Sequence, residues 1–543
     1  MSQMFRDLRA YRRAWLPGDI AAAVTVWAIV VPEGVAYAGI AGMPPAVGLY
    51  VATLPLLVYA LMGSSRRITV GPSATTAAIS AAAVTPLAAD AESFIELTVA
   101  LTVVAGIVLL IAAVARLGIL AEFLSEPVLK GFIVGVAITI LGGQLGKIFG
   151  VEAEGEGFIA EMVDLVGNLG DAHGATIVVG LICLAALFAL DRFLPTLPAA
   201  LVVVVGSIAA ARIFDLDDRG VHLVGEIASG LPTPGVPDVD WSQVVDLIPA
   251  ALGLSIVVFG ESMALAKSFG GRHGERVDAN VELASLGSAN VAGGLFGGFA
   301  ATGSNSRTAA ADRAGQTTQL SSLIVVALLV LTMLFLTQAF EDLPEAALGA
   351  IIIHAVLRLI QFRPIMALRD KSRLDFAAAV TTLAGVLMFD ILAGLAIGVG
   401  VSIIGMMRRA VRPRCVQLGR ERSTDTYWAL GTEDVEPLDD IVIVRFEAEL
   451  FFANVSVLRQ TVLDAVESQQ PSVVVFDAEA ISHVDTTAAE ELDKLLDELA
   501  LKGVDARFAR LQRSVADTLK RCGLDLESRT YQRVRDAVGA AEL

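Results

Sequence analysis

Three charged residues of this chain lie inside or next to long apolar runs, and their types suit a site that binds an anion. Glu33 and Glu261 are each embedded in an apolar run, and Arg307 belongs to a polar segment, residues 299–319, that lies between two others. A guanidinium is permanently charged and therefore attracts an anion. A carboxyl group close to that anion would take up a proton when the anion binds. This combination predicts coupled movement of a proton and an anion.

Two short segments have the composition of helix starts. Residues 71–73 read Gly-Pro-Ser and residues 303–305 read Gly-Ser-Asn, so each predicts a half-helix with proline in its first turn or with serine or asparagine near its N-cap. Two such starts that face each other would direct free N–H groups and two positive dipole ends at one volume. The residues predicted to bind an anion there are Ser73, Ala74, Thr75, Gly303, Ser304, Asn305, Ser306 and Arg307.

Each of these residues also has a structural interpretation. The small residues could serve close packing between helices, as they often do in membranes. Arg307 could form a structural ion pair with a carboxylate such as Glu261. Either glutamate could be a packing hydrogen-bond donor or an external gate. Because carboxylates within membrane spans usually have functions, Glu261 is the preferred proton carrier and Glu33 the second.

The composition divides the chain into a membrane domain and a soluble domain. Of its 543 residues, 55% are hydrophobic and only 18% are charged, whereas soluble domains carry about 25% charged residues. Charge is mostly confined to short breaks until residue 407 and becomes ordinary afterwards. The net charge of −18 argues against a nucleic-acid partner. No cysteine or histidine spacing suits a metal, and no P-loop is present, so the sequence predicts neither a cofactor nor an enzyme.

Fourteen segments are apolar enough to be candidate spans of about 20 residues, although the third and the tenth are short. They cover roughly residues 18–35, 37–61, 71–87, 93–115, 118–149, 173–190, 196–213, 244–268, 278–297, 303–314, 318–340, 344–361, 373–388 and 390–408. With the N-terminus inside, the basic loops 64–67, 267–276, 363–373 and 408–414 all lie inside, as expected for membrane proteins. The sequence therefore predicts a multi-pass protein of the cell membrane with both termini cytoplasmic.

The membrane domain contains a weak internal repeat. AIVVPE at 28–33 resembles SIVVFGE at 255–261, and ITVGPSAT at 68–75 resembles AATGSNSR at 300–307. The two offsets, 261 − 33 = 228 and 303 − 71 = 232, nearly agree. Seven spans separate the copies, so the second copy is inverted in the membrane. Inverted repeats with interrupted helices are typical of transporters that bind substrate near the midplane.

The soluble domain alternates strand and helix patterns. Residues 441–446 and 472–477 predict strands, and residues 455–468 and 487–502 predict helices, which together indicate an α/β sandwich with one sheet. Asp485 is predicted as an N-cap. Thr486 could be phosphorylated, although capping is the simpler interpretation. The predicted domains are a cytoplasmic segment 1–17, a transport domain 18–410, a linker with the start of the soluble domain 411–438, and the soluble domain 439–543.

With these motifs in place, the chain resembles the SulP (sulfate permease) family of anion transporters. VPEGVAYA at 31–38 resembles the motif of the family's first span, and TGSNSRTA at 302–309 with AGQTTQL at 314–320 resembles that of its tenth. FFAN at 451–454 and VDTTA at 484–488 resemble the linked STAS domain. The resemblance implies fourteen spans in two inverted seven-span repeats, divided into core and gate subdomains, with elevator-like movement, a homodimer and a cytoplasmic STAS domain.

Two departures from the family pattern bear on mechanism. Many members carry glutamine where this chain has Glu33, so a charged anion pocket here requires that carboxyl to be protonated or to point away. Sodium-coupled relatives carry an aspartate and, four residues later, a threonine on the eighth span, where this chain has Glu261 and Leu265. Leucine offers no side-chain oxygen to sodium, so the departure favours protons.

The sequence therefore predicts secondary active transport of a small anion of the sulfate, bicarbonate or dicarboxylate class, coupled to protons. Three alternatives stay open at this point. The chain could be an uncoupled anion channel or an exchanger, because the architecture is shared. It could be a membrane-anchored receptor that signals through its STAS domain. A nucleobase carrier has a similar build, but Arg307 and the STAS domain argue against it.

Overall fold

The computed structural model describes residues 11–118, 126–151, 158–194, 197–225, 227, 229–421 and 426–542. The chain forms two compact units, residues 1–402 and residues 403–543. Parts of five predicted regions lie outside the described residues, namely 1–10 of the N-terminal segment, 119–125 of the fifth span, 196 of the seventh span, 422–425 of the linker and 543 of the soluble domain.

Residues 16–411, which comprise nearly all of unit 1 and the start of unit 2, are mainly helical. Their first half contains eight α-helices within the described residues. These are α1 (Leu16–Ile40), α2 (Pro45–Met62), α3 (Ala74–Val84), α4 (Ala91–Val114), α5 (Glu126–Phe149), α6 (Phe158–Gly167), α7 (Gly174–Phe193) and α8 (Ala199–Phe214). The second half repeats this order with α9 (Trp241–Arg272), α10 (Ala279–Leu295), α11 (Asn305–Arg313), α12 (Leu320–Phe335), α13 (Glu345–Leu357), α14 (Phe362–Lys371), α15 (Arg373–Met388) and α16 (Ile391–Val411).

Each of the fourteen predicted spans contains one of these helices. Over the described residues, eight helical stretches are long and apolar enough to cross a membrane, and α3, α8 and α12 are shorter apolar helices. One of the eight, Glu345–Lys371, combines α13 with α14. The sequence did not predict α6 and α14, which are short and follow α5 and α13 at equivalent places in the two halves.

The boundary between the first two spans was predicted wrongly. The second span was predicted to start at residue 37, but α1 continues to Ile40 and tolerates Pro32 in its interior. The second helix begins only at Pro45, after an N-cap, Pro44, with φ −54° and ψ 144°. Proline is favoured at the first helical position because its missing N–H would have no partner there, so the pair of prolines sets this boundary.

The two halves meet at a short antiparallel strand pair. Strand β1 (Val70–Gly71) precedes α3, strand β2 (Thr302–Gly303) precedes α11, and Val70 pairs with Gly303 while Gly71 pairs with Thr302. Antiparallel pairing of equivalent segments is what an inverted repeat requires. Residues 68–75 and 300–307, which the sequence predicts to be equivalent segments of the repeat, thus contact each other through this strand pair.

The helices form two bundles, as the core and gate subdomains predict. One bundle contains α1–α4 and α9–α12, with close packing of α10 on α4 and α2 and of α12 on α1 and α2. The other contains α5, α7, α8, α13 and α15, with α15 and α13 on α5, and α16 approaches α15 through Gly394 and Gly398. The bundles touch where α1 meets α13 and α8 and where α3 meets α5.

Unit 2 contains one mixed sheet with helices. Its strands are β3 (Cys415–Glu421), β4 (Tyr427–Ala429), β5 (Val435–Glu436), β6 (Ile441–Phe446), β7 (Val473–Asp477), β8 (Asp505–Ala509) and β9 (Thr530–Tyr531). Its helices are α17 (Val455–Gln469), α18 (Thr486–Leu501), α19 (Arg513–Arg521) and α20 (Val534–Glu542). The order is β4-β3-β6-β7-β8-β9, and β6 to β9 are parallel. The predicted strands and helices of this unit are confirmed within one or two residues.

Candidate functional site

The strand pair holds two helix starts against each other from opposite directions. The pair is extended by the Ser304 amide, which donates to the Thr69 carbonyl at 3.0 Å. The Thr69 amide in turn donates to Thr308 Oγ1 at 3.1 Å. These bonds fix the segments before α3 and α11, so both helices begin at the same crossing.

Both helices begin with an extended serine whose side chain does not cap them. Ser73 precedes α3 with φ −137°, and Ser304 precedes α11 with φ −105°. The first-turn amides of both helices therefore lack a side-chain acceptor from these serines. Asn305 and Ser306 are exposed, so the start of α11 is accessible to a solute. We call residues 73–75 and 303–307 the cradle.

One detail of the predicted helix starts is wrong. Pro72 was expected in the first turn, but α3 begins at Ala74, so Pro72 precedes the N-cap. Its carbonyl oxygen is free to accept a hydrogen bond because it lies outside the helix.

Arg307 is buried and held in place by two acceptors. Its side chain has 0% exposure, its Nη1 donates to Glu33 Oε2 at 3.0 Å, and its Nη2 donates to the Pro72 carbonyl at 2.7 Å. A Cβ at Gly71 would lie 3.3 Å from Nη2, so the absence of a side chain there makes room for the guanidinium. Its buried Nε has no hydrogen-bond partner among the described residues. The guanidinium therefore keeps one donor that an acceptor could still satisfy.

Glu33 is the carboxylate that pairs with Arg307, whereas the sequence suggested Glu261 as a structural partner. Glu33 is buried, and the Ser306 hydroxyl also bonds to it. The positive charge of Arg358, the residue that follows α13, also attracts the Glu33 carboxylate. The carboxylate thus points towards the guanidinium and lies beside the cradle.

Glu261 has a different environment. The Thr75 hydroxyl bonds to it, and it takes part in no ion pair within the part of the chain that the structure describes. Thr75 is buried, whereas Glu261 is half-buried. By the repeat, Thr75 is equivalent to Arg307 because 307 − 75 = 232, the offset of the glycine segments. Each glutamate therefore contacts the equivalent residue of the opposite repeat.

Strand β2 is also fixed to α9 next to Glu261. Ser262 Oγ accepts from the Gly303 amide at 2.9 Å and lies 3.0 Å from Thr302 Oγ1. A Cβ at Gly303 would lie 3.2 Å from Ser262 Cα and 3.4 Å from Leu265 Cδ1, so this glycine permits a close approach of backbone to helix. Leu265 thus lies beside the cradle.

Sequence reasoning missed several residues that build the site. Asn290 of α10 accepts from the Ala301 amide at 2.8 Å and donates to the Ala301 carbonyl at 3.1 Å, which fixes the entry to β2. Asn290 is a buried amide inside an apolar run, and that is the signal that could have identified it. Ser262 gave no such signal, because serine is common in packed helices.

A second polar cluster, also missed, lies on the other bundle. His354 of α13 and Arg358, the residue that follows this helix, both contact Asp191 of α7, with His354 Nε2 at 2.7 Å from Asp191 Oδ2. His354 is buried and Arg358 is exposed, so this cluster extends from the interior to the surface.

The predicted N-cap of the soluble unit is present. Asp485 Oδ1 accepts from the Ala488 amide at 2.7 Å, and its Oδ2 accepts from the Phe452 amide at 2.9 Å. Thr486 is exposed at the first position of α18. The geometry therefore gives Asp485 a capping role and leaves the Thr486 hydroxyl accessible.

Comparison with known proteins assigns each of the two parts of the chain to a known family. The profile of the Sulfate permease family matches residues 16–382, and that of the STAS domain matches residues 434–537. A probable sulfate transporter of Mycobacterium tuberculosis (strain CDC 1551 / Oshkosh) is 37% identical over 531 residues, which cover 95% of this chain and 93% of that protein.

Solved structures share the fold. The structure of the murine anion transporter Slc26a9 in its inward-facing state matches with a TM-score of 0.93 at 24% identity, over 99% of this chain and 93% of that one. The transmembrane domain of the cyanobacterial bicarbonate transporter BicA matches with a TM-score of 0.63 at 20% identity, over 72% of this chain and 97% of that one. These likenesses support the fold of fourteen spans in two inverted repeats followed by a STAS domain.

Proposed function

The chain belongs to the sulfate permease family of anion transporters, and on that premise we propose that it moves a small anion together with a proton. The relatives named above include a probable sulfate transporter and a bicarbonate transporter, so we propose an anion of the sulfate, bicarbonate or dicarboxylate class. The transport function follows from the family; the coupling and the mechanism are our proposal.

One observation carries the proposal of proton coupling. The two equivalent glutamates contact equivalent residues of the opposite repeats, but only Glu33 meets a cation. The Arg307 guanidinium compensates the charge of Glu33, whereas Glu261 has the Thr75 hydroxyl beside it and no ion-pair partner among the described residues. A half-buried carboxylate within a membrane span is unfavourable as an anion when it has no counter-charge, so Glu261 is the group that would gain a proton when a further negative charge enters the cradle.

Anion binding is proposed at the cradle. The uncapped helix starts supply amide N–H groups, which are suited to an anion, and the partial positive charge of two helix ends adds to them. Ser304 and Ser306 supply hydroxyl groups, with their oxygens 3.2 Å apart. The unsatisfied Nε of Arg307 is a further donor that is close to the same helix start. Arg307 thus supports the site mainly as a buried, partly compensated charge.

Sodium coupling fits the surroundings of Glu261 poorly. Sodium needs several oxygen ligands, and the position four residues after Glu261 is Leu265, whose side chain packs near Gly303. We therefore propose that the coupling ion is a proton. Glu33 remains the second candidate, because release of its pair with Arg307 would also expose a carboxylate.

The two helix bundles support an elevator-like movement. The cradle belongs entirely to the bundle of α1–α4 and α9–α12, and the bundles meet at few helix pairs. The bundle that carries the anion could therefore slide past the other as one body. We also propose a homodimer in the cell membrane, with both termini cytoplasmic according to the charge of the loops, and a regulatory or assembly role for the STAS domain, with Asp485 and Thr486 as its candidate regulatory residues.

Reconstitution of the full chain into liposomes tests the proposal. Uptake of labelled sulfate, bicarbonate and fumarate is measured with and without an imposed inward proton gradient. We expect one of these anions to be taken up and the gradient to accelerate its uptake. Uptake that ignores the gradient would contradict the coupling, and currents far above the turnover of a carrier would show an anion channel instead.

A further inference from the structure

Two short helices occupy equivalent places in the two repeats. Helix α6 connects α5 to α7, and α14 connects α13 to α15. Each has 10 residues, about half of what a helix needs to cross a membrane. Both therefore connect spans at the edge of the membrane domain, and the inversion of the repeat places them on opposite sides of the bilayer.

Helix α14 is anchored on the protein by one side only. Ile365 is 3% exposed and belongs to a small apolar cluster with Val134 of α5 and Ala379 of α15. Phe362 and Met366 are 50% and 51% exposed. Because they lie one turn apart, their side chains form one exposed apolar flank of the helix. This second flank offers an apolar surface that the described protein does not cover.

The same helix carries a concentration of positive charge. Arg363, Arg369 and Lys371 lie on α14, with Asp370 as its one acidic residue, and Arg373 follows at the start of α15. None of these four cations forms an ion pair within the ranges that the structure describes. The chain as a whole has a net charge of −18, so this is a local departure from its composition.

Helix α6 shows the opposite charge on a similar scaffold. It also exposes an apolar flank, formed by Ile159, Val163 and Val166, whose exposures are 53%, 68% and 67%. Its charged residues are Glu161 and Asp164, and its sequence contains no basic residue. The apolar flank is thus common to both helices, whereas the basic residues belong to α14 alone.

We infer that α14 lies in the headgroup layer of the membrane and binds anionic phospholipids. Phe362 and Met366 would enter the acyl boundary, while Arg363, Arg369, Lys371 and Arg373 meet the phosphates. A helix with an apolar flank and several cations is the type that lies in this layer. Charge complementarity selects anionic lipids, because a zwitterionic headgroup presents no net charge to the four cations. Lipid would then anchor the bundle formed by α5, α13 and α15.

Native mass spectrometry of the full chain tests the inference. The protein is offered equal amounts of phosphatidylglycerol and phosphatidylcholine with the same acyl chains, and the retained lipids are counted. We expect preferential retention of phosphatidylglycerol. In R363Q/R369Q/K371Q/R373Q the preference should fall by about fivefold for each charge removed.

The matched control removes four exposed cations from the soluble unit, in R513Q/R521Q/R529Q/R533Q, and should keep the preference. If the quadruple variant of α14 does not fold, the pairs R363Q/R369Q and K371Q/R373Q should each lose part of it. An unmodified protein with no preference for phosphatidylglycerol would overturn the inference. Equal losses in the control and in the α14 variants would also overturn it.

Discussion

The two glutamates of the repeat occupy equivalent positions but have different partners. Glu33 on α1 bonds to Arg307, the third residue of α11, whereas Glu261 on α9 bonds to Thr75, the second residue of α3. The backbone arrangement is nearly symmetric, because β1 and β2 pair and each helix begins directly after them. At the pair of equivalent positions that contacts the glutamates, the side chains break the symmetry, because one half has arginine and the other has threonine.

This difference assigns different tasks to the two halves. The Glu33–Arg307 pair compensates charge inside the protein and fixes the start of α11. The Glu261–Thr75 pair leaves a carboxyl group without a counter-charge next to the cradle. We therefore propose that the second half of the cradle attracts the anion, while Glu261 responds to its arrival with a proton.

Removal of the cation is expected to have the largest effect. R307A leaves Glu33 buried without its partner, and breaking a buried pair in this way destabilises a protein by about 3–5 kcal/mol. We expect uptake to disappear and the melting temperature to fall. Uptake in liposomes and thermal unfolding of the purified variant measure the two effects.

The double variant E33Q/R307A separates stability from function. It removes both charges, so it should recover much of the lost stability but not the transport. Normal uptake by either variant would show that Arg307 is not part of the anion site.

The two glycines of the strand pair allow an intermediate test of the asymmetry. In G303A the new Cβ would lie 3.2 Å from the Ser262 backbone, which cannot move without shifting α9. In G71A it would lie 3.3 Å from Arg307 Nη2, the end of a side chain that can shift. Overpacking costs about 1–3 kcal/mol, so we expect G303A to lower stability and G71A to impair uptake with less loss of stability.

Thermal unfolding and uptake of the two glycine variants are compared side by side. Equal losses of stability would mean that the two halves of the strand pair are equally rigid. Full uptake by G71A would mean that the position of the guanidinium is not critical.

The smallest expected effect concerns the hydroxyl that contacts Glu261. T75V keeps the shape of the side chain and removes one hydrogen bond, so we expect proton-driven uptake to slow a few-fold while stability changes by about 1 kcal/mol. T76V is the control, because the Thr76 hydroxyl donates to the Ser73 carbonyl of its own segment, at 3.3 Å, and to no other acceptor among the described residues. Identical uptake by T75V and T76V would argue against a role for the contact with Glu261.

Most of the fold could be predicted from the sequence because apolar runs and internal repeats are local signals. The fourteen spans, the equivalence of residues 68–75 and 300–307 in the repeat and the strands of the soluble unit all follow from such patterns. The helices α6 and α14 were missed because ten amphipathic residues give no span signal. The boundary at Pro45 was missed because an apolar run continues across it.

The candidate site could be predicted only in part. The residue types of the cradle were visible, since a buried arginine and two glutamates stand out in apolar segments. Which glutamate meets Arg307 depends on how the two repeats cross in space, and the sequence pattern contains no such information. For the same reason the Pro72 carbonyl and Ser262 were missed, because backbone acceptors and packed serines have no distinctive pattern.

Proton coupling through Glu261 is tested most directly by comparing two transport modes of E261Q in liposomes. The anion taken up fastest in the reconstitution panel is followed during gradient-driven uptake and during exchange at equal pH, and D246N, which changes an exposed carboxylate of the same helix, is the control. Our account predicts that E261Q keeps the exchange but loses acceleration by the proton gradient, while D246N keeps both. Full acceleration of E261Q by the gradient would contradict it.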